Sequence, residues 1–230
     1  PDYTNYASIM ETKKHGANMF RIAMYSDGGG DGYIKEPELS KRLVYQAVEN
    51  VLSADMYAIV DWHILNDGNP NTNIEKAKEF FRETTGVYKN NSGIIYEICN
   101  EPNGDTTWDD IVKYANEIIP IIRNNAPDAI ILVGTPDYSY SITKVEKKFE
   151  YDNIMYSYHF YAGQYDDSYE NMIGDAQKAG MPVFVSEWGI NTENNKEAAL
   201  QQGKKFAEYI NKEKISFAAW SLSNKDECFS

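Results

Sequence analysis

Positive charge is scarce in this chain. Its 22 lysines and arginines stand against 35 aspartates and glutamates, giving a net charge of −13. A nucleic-acid surface must neutralise phosphates with a basic face, and an anionic membrane makes the same demand, so both are excluded as partners. No apolar run reaches transmembrane length, and no signal-peptide pattern opens the chain at Pro1. Only two cysteines occur, Cys99 inside an apolar run and Cys228 close to the last residue. A bridge between them stays open, but a buried, reduced Cys99 is the favoured reading. No glycine-rich phosphate loop follows any apolar run, which weighs against a nucleotide-binding sheet. No linker or shift in composition divides the 230 residues, so one domain covering 1–230 is expected.

Aromatic residues are plentiful, at 13% with 18 tyrosines and 4 tryptophans. Sugar rings stack on such faces, although most of these side chains must fill the core. Seven short apolar runs recur at even spacing: 18–25, 57–64, 93–100, 129–135, 153–161, 181–189 and 216–222. Amphipathic segments separate them, at 37–54, 73–88, 108–125, 168–179 and 195–213. The first of these opens on Pro37 and acidic residues, then sets Leu39, Leu43, Ala47 and Leu52 near one face. Gly16 and Gly180 stand where helix C-caps belong. Residues 145–149 make a short helix at most. Continuously apolar strands alternating with helices imply a parallel sheet covered on both faces.

The end of each strand carries the chemistry. Ile94 to Ile98 reads as a buried strand, and then the apolar run gives way to Asn100-Glu101-Pro102. Pro102 cannot donate to a ladder, and it confines Glu101 to extended geometry. Pro182 to Gly189 repeats the design and delivers Glu187. Arg21, Tyr25, His63, His159, Tyr161 and Trp220 also stand at strand ends. Residues from so many strands converge only if the strands form a ring, and the C-terminal rim of such a ring is where active sites are built. The expected fold class is α/β, a (β/α)8 barrel short of one unit.

Four segments then acquire a specific meaning: Ile95 to Pro102, Asp61-Trp62-His63, His159-Phe160-Tyr161 and Val185 to Gly189. Together with Trp220 to Lys225, they resemble glycoside hydrolase family 5, in its bacterial endo-β-1,4-glucanase (cellulase) branch. The resemblance covers about residues 3 to 226. It implies a TIM barrel enzyme that hydrolyses internal β-1,4-glucosidic bonds with retention, with Glu101 as acid/base and Glu187 as nucleophile. Arg21, His63, Asn100, His159 and Tyr161 match supporting positions. Tyr25, Tyr138, Trp220, Asn224 and Lys225 match substrate-contact positions, Tyr138 on the leaving-group side. The Trp220–Ser221 peptide bond is then expected to be cis. Measured against the family, the chain lacks the first strand and the last helix, so a gap about one strand wide is expected between 18–25 and 216–222. No cofactor and no metal are implied. A monomer is expected, secreted after loss of an export signal, with a β-1,4-glucan polysaccharide as its partner.

The chemistry agrees with that assignment. Retaining hydrolysis needs one protonated and one ionised carboxyl roughly 5–5.5 Å apart. Glu187 needs positive charge to stay ionised, and a guanidinium inside the apolar strand 19–24 cannot be left unpaired, so Arg21 is its expected partner. Tyr161, two residues beyond His159, shares its face and can donate to Glu187. Asn100 can bind a sugar 2-hydroxyl. Glu97, deeper in its strand, is expected to be a buried hydrogen-bond partner, and Trp188 to face away from the reaction centre. A family-5 mannanase, licheninase or xyloglucanase is the nearest alternative. A metal-dependent barrel hydrolase using His63, His159, Glu101 and Glu187, or a sugar-binding barrel without turnover, is more distant.

Overall fold

The computed structural model describes residues 3–27 and 31–223. Seven strands form one all-parallel sheet in sequence order: β1 (Met19–Tyr25), β2 (Tyr57–His63), β3 (Ile94–Glu97), β4 (Ile131–Val133), β5 (Ile154–Ala162), β6 (Val183–Ile190) and β7 (Phe217–Ala219). Helices α1 (Tyr6–Lys14), α2 (Pro37–Ser53), α3 (Ile74–Val87) and α4 (Trp108–Asn125) precede or link the first four strands. The short turn α5 (Pro136–Ser139), α6 (Tyr169–Lys178) and α7 (Lys196–Lys212) follow. Every expected strand forms at its apolar run; β5 and β6 extend one residue past theirs, and β3, β4 and β7 are shorter than the runs that contain them. Residues 145–149 form no helix; a single 3₁₀ turn lies just before them, at Ile142–Lys144.

The strands carry two kinds of inward residue. Met19, Ile59, Ile95, Leu132, Met155 and Phe184, one from each of β1 to β6, form a small apolar cluster separate from the main core. Two positions further along the strands lie Arg21, Asp61, Glu97, Gly134, Ser157 and Ser186. Side chains alternate with a period of two, so these share the interior with the apolar plug, one layer nearer the C-terminal rim. The main core lies outside the strands, between sheet and helices.

Helix α2 buries a face rotated from the expected one, with Ala47 still in the core and Leu52 packed against it. Val44, Ala47, Val48 and Val51 are buried, whereas Leu39 is 41% exposed. Their i, i+3, i+4, i+7 spacing makes a tight stripe of small and β-branched groups that approaches the sheet closely. Gly16 and Gly180 hold left-handed φ values of 96° and 72°, as C-caps do.

Strands β1 and β7 are the edges of the sheet, and among the described residues no ladder joins them. A cleft of about 740 Å³ separates them, lined by Met19, Phe20 and Arg21 on one side and Phe217 to Leu222 on the other. The two strands stay unpaired, as expected, although some of their Cα atoms approach within 8 Å of one another.

Candidate active site

Arg21 is the hub of the rim. Its side chain is 6% exposed, and the guanidinium reaches four acceptors. Nε donates to Glu97 Oε2 at 2.6 Å, Nη1 to Glu187 Oε2 at 2.8 Å, and Nη2 to Asn100 Oδ1 at 2.7 Å, with Asp61 Oδ2 at 3.0 Å from the same nitrogen. The partners come from β2, β6 and the end of β3, so one planar fork fixes three strands relative to β1.

Glu187 receives a second donor. The Tyr161 hydroxyl donates to Glu187 Oε1 at 2.7 Å. Burial alone would raise the Glu187 pKa, but the positive charges of His159 and Arg21 and the Tyr161 bond hold it below the usual carboxylate value. Glu97 behaves alike: burial is outweighed by Arg21 and His159, and its carboxyl stays well below the ordinary range. Fully buried, Glu97 accepts from Arg21 and, at 3.0 Å, from the Ser157 hydroxyl. It is a buried hydrogen-bond partner, as expected.

Glu101 stands on the opposite side, its side chain 12% exposed. His159 Nδ1 lies 2.9 Å from Glu101 Oε1, and its Nε2 lies 3.0 Å from the Ser186 hydroxyl. Burial disfavours the charged imidazole, yet Glu187, Glu101 and Glu97 together push its pKa up to about 9. A register shift in the β5–β6 pairing after Ser157 brings His159 level with Glu187. One oxygen of Glu101 and one of Glu187 lie within 4.8 Å of each other. That is slightly closer than expected, and well below the roughly 6.5–9.5 Å of an inverting pair.

The aromatic groups surround this centre. His63 Nδ1 bonds Asp61 Oδ2 at 2.7 Å, and its ring stacks on Trp220 with centroids 5.6 Å apart. Tyr25 packs against His63 at 4.3 Å. The Trp220–Ser221 peptide bond is cis. Tyr25, His63, Glu101, Tyr138, Tyr161, Glu187 and Trp220 all line one cleft of about 720 Å³. Trp188 packs on Phe206 and Phe217, away from that cleft. Asn224 and Lys225 lie outside the described residues.

Sequence reasoning gave no site role to Asp61, Ser157, Ser186 or Tyr165. Asp61 had a signal, since it is two residues before His63 on the same strand face. Tyr165, which also lines the cleft, lies in a loop whose path the sequence does not reveal.

Glu101, His159 and Glu187 lie close enough to hold a cation, but their chemistry does not suit one. His159 Nδ1 is engaged by Glu101 and its Nε2 by the Ser186 hydroxyl, so both ring nitrogens already have partners. Arg21 already occupies Glu187. His63 is not part of the cluster.

A parallel barrel with two carboxylates facing each other at its C-terminal rim is an architecture of glycoside hydrolases. The family model for cellulase (glycosyl hydrolase family 5) matches residues 1–226, and the chain belongs to that family. It is 43% identical over 235 residues to endoglucanase A of Butyrivibrio fibrisolvens, covering 99% of this chain and 54% of that protein. A Clostridium saccharobutylicum endoglucanase is 41% identical over 230 residues, covering 98% of this chain and 51% of its own length. The chain therefore spans about half the length of these relatives. Among solved structures, a thermostable, halotolerant GH5 cellulase from an Icelandic hot-spring isolate superposes with a TM-score of 0.91 at 36% identity, covering 100% of this chain and 74% of that one. The catalytic domain of Thermobifida fusca endoglucanase Cel5A gives 0.88 at 32% identity, covering 98% and 76%. A glutamate-to-glutamine variant of that domain is in complex with cellotetraose.

Proposed function

We propose that this chain is the catalytic part of a retaining endo-β-1,4-glucanase. The observation that carries the reading is the close pair Glu101 and Glu187, with opposite surroundings. Glu187 is buried, ion-paired to Arg21 and held ionised, as a nucleophile must be. Glu101 is the more open of the two and bonded to His159, where it can pass a proton to the departing oxygen. Attack by a Glu187 oxygen on the anomeric carbon breaks the glycosidic bond, and the Glu101 proton goes to the leaving sugar. Water then attacks the anomeric carbon, Glu101 takes the water's proton, and the C1–O bond to Glu187 breaks, so that Glu187 departs as carboxylate.

The surroundings favour the exchange of roles. Esterification removes the Glu187 charge, which is the largest influence holding the proton on His159. Tyr161 is released from the esterified oxygen at the same moment. Trp220 and Tyr25 offer faces for sugar rings on one side of the cleft, and Tyr138 on the leaving-group side. Asn100 is fully buried, its amide oxygen held by Arg21 and its amide nitrogen donating to the Ile64 carbonyl at 3.0 Å, so a bond to a 2-hydroxyl would use the remaining amide hydrogen. Polymeric β-1,4-glucan does not enter cells, so on this reading the enzyme meets its substrate outside the cell.

Product analysis on soluble β-1,4-glucan tests this. Internal cleavage with β-configured first products is expected, unchanged by chelator. Glu101→Gln and Glu187→Gln should each lower turnover by at least about 10²-fold while leaving the fold intact. Inverted products, or loss of activity with chelator, would remove the retaining mechanism.

A further inference from the structure

Three consecutive carbonyls around Glu101 are each taken by a separate donor. The Asn100 carbonyl accepts from the Ser139 hydroxyl at 2.6 Å. The Glu101 carbonyl accepts from Asn103 Nδ2 at 2.8 Å, and the same nitrogen donates to the Leu65 carbonyl at 2.7 Å. The Pro102 carbonyl accepts from the Tyr138 N–H at 2.9 Å.

Two of these donors belong to α5, and α5 is wound the wrong way. Asp137, Tyr138 and Ser139 have φ values of 55°, 62° and 58°. Residues with side chains enter this left-handed region rarely, and a run of them persists only where the surroundings over-determine it. Here they do. Ser139 is fully buried, and its hydroxyl accepts from the Thr135 N–H at 3.2 Å while donating to Asn100. Asp137 is paired with Lys144 at 2.6 Å. Just before the turn, a Cβ on Gly134 would come within 2.3 Å of the Cys99 carbonyl, 2.9 Å of Pro102 Cδ and 3.0 Å of the Asn100 carbonyl. The loop after β4 thus presses on the Glu101 segment with no slack. The tip of the same turn lifts the Tyr138 ring, 47% exposed, into the cleft that Glu101 lines.

We propose that Ser139 is a positioning residue: through the Asn100 carbonyl it fixes the Glu101 carboxyl relative to the sugar carried by Tyr138. Leaving-group binding and proton donation are then set by one rigid turn. This rests on Glu101 being the acid/base. A misplaced proton donor matters most when the departing oxygen is a poor leaving group, and little when it is stable as an anion.

The test compares kcat/KM on cellotetraose, whose sugar leaving group needs a proton, with 2,4-dinitrophenyl β-cellobioside, whose phenolate does not. Ser139→Ala removes the hydroxyl and keeps Cβ. Ser139→Gly also removes the hydroxyl but takes positive φ without penalty, so it survives if backbone strain alone threatens folding. Both variants should lose about tenfold or more on cellotetraose and less than about threefold on the aryl substrate. Parallel losses, or none, would overturn the proposal and leave Ser139 a packing residue. Glu101→Gln must show the same split more strongly. If it instead falls equally on both substrates, the acid assignment fails; if it splits and the serine variants do not, the positioning proposal alone fails.

Discussion

Arg21 exposes almost nothing to water and meets three carboxylates and an amide oxygen. Breaking one partner from a buried pair commonly costs about 3–5 kcal/mol, so the polar layer is cooperative: no member can be removed without stranding another. Its charges also make stability depend on pH. Glu97 and Glu187 lie below their ordinary 4.5, so their contribution is present above that pH and fades as pH falls through their lower folded values. His159 is raised from 6.5 to about 9, so its contribution is complete below 6.5 and is lost as pH rises through about 9. Melting temperature should therefore peak between about pH 4.5 and 6.5. Asp61, raised by burial, works against the acid limb, and the buried Cys99 and tyrosines add their own losses above about pH 9, so the range between 6.5 and 9 isolates His159 best. His159→Gln should flatten the decline above pH 6.5 in a calorimetric series; an unchanged decline would mean that another group causes it. At this scale much of the site was legible, because His63, Glu101, Tyr161 and Glu187 stand at or near the ends of apolar runs, and Arg21 and His159 are cationic or titratable groups inside them. Ser139 was not. A buried serine in a polar loop carries no periodic signal, and its role exists only through a carbonyl 39 residues away.

Among the elements, α4 shows how local rules and packing divide the work. Thr107 and Asp110 form a reciprocal capping box, with the Thr107 hydroxyl accepting from the Asp110 N–H and the Asp110 carboxylate accepting from the Thr107 N–H. Pro120 removes one helical hydrogen bond, yet the helix continues, because Ile118, Ile119 and Ile122 are all buried around it. Thr107→Ala should cost about 1 kcal/mol in urea unfolding, without altering kcat. A loss of kcat would mean that α4 transmits its N-terminal fraying to the Glu101 loop. Helix existence and extent were readable from apolar spacing, since α2, α3, α4, α6 and α7 fall within the expected segments. Which face α2 buries was not. Leu39 and Leu43 are as hydrophobic as the valines, and only the closeness of the sheet favours the smaller stripe. β3 also stops short of its apolar run, although beyond Glu97 the Ile98 and Asn100 N–H groups still donate to the Leu132 and Trp62 carbonyls.

Across the whole molecule, the ring of strands was inferred from convergence of polar ends, and the open seam from the resemblance. β1 and β7 each have only one hydrogen-bonded neighbour among the described residues. Amide hydrogen exchange should accordingly be fastest in β1 and β7 and slowest in β2 to β5, where both flanks are paired. Equal protection along all seven strands would show that the edges are covered in solution. Cys99 adds a consequence of a different kind. It is free and fully buried, and burial pushes its thiol pKa up, so it is inert while the chain is folded. It is also the residue immediately before Asn100, with its carbonyl against Gly134. An alkylating reagent can reach that sulfur only during an excursion that also loosens the strand end carrying Glu101. The thiol is a clock wired into this rim, and the mass gained over time by the peptide that carries Cys99, read apart from that of Cys228, records how often the rim comes apart.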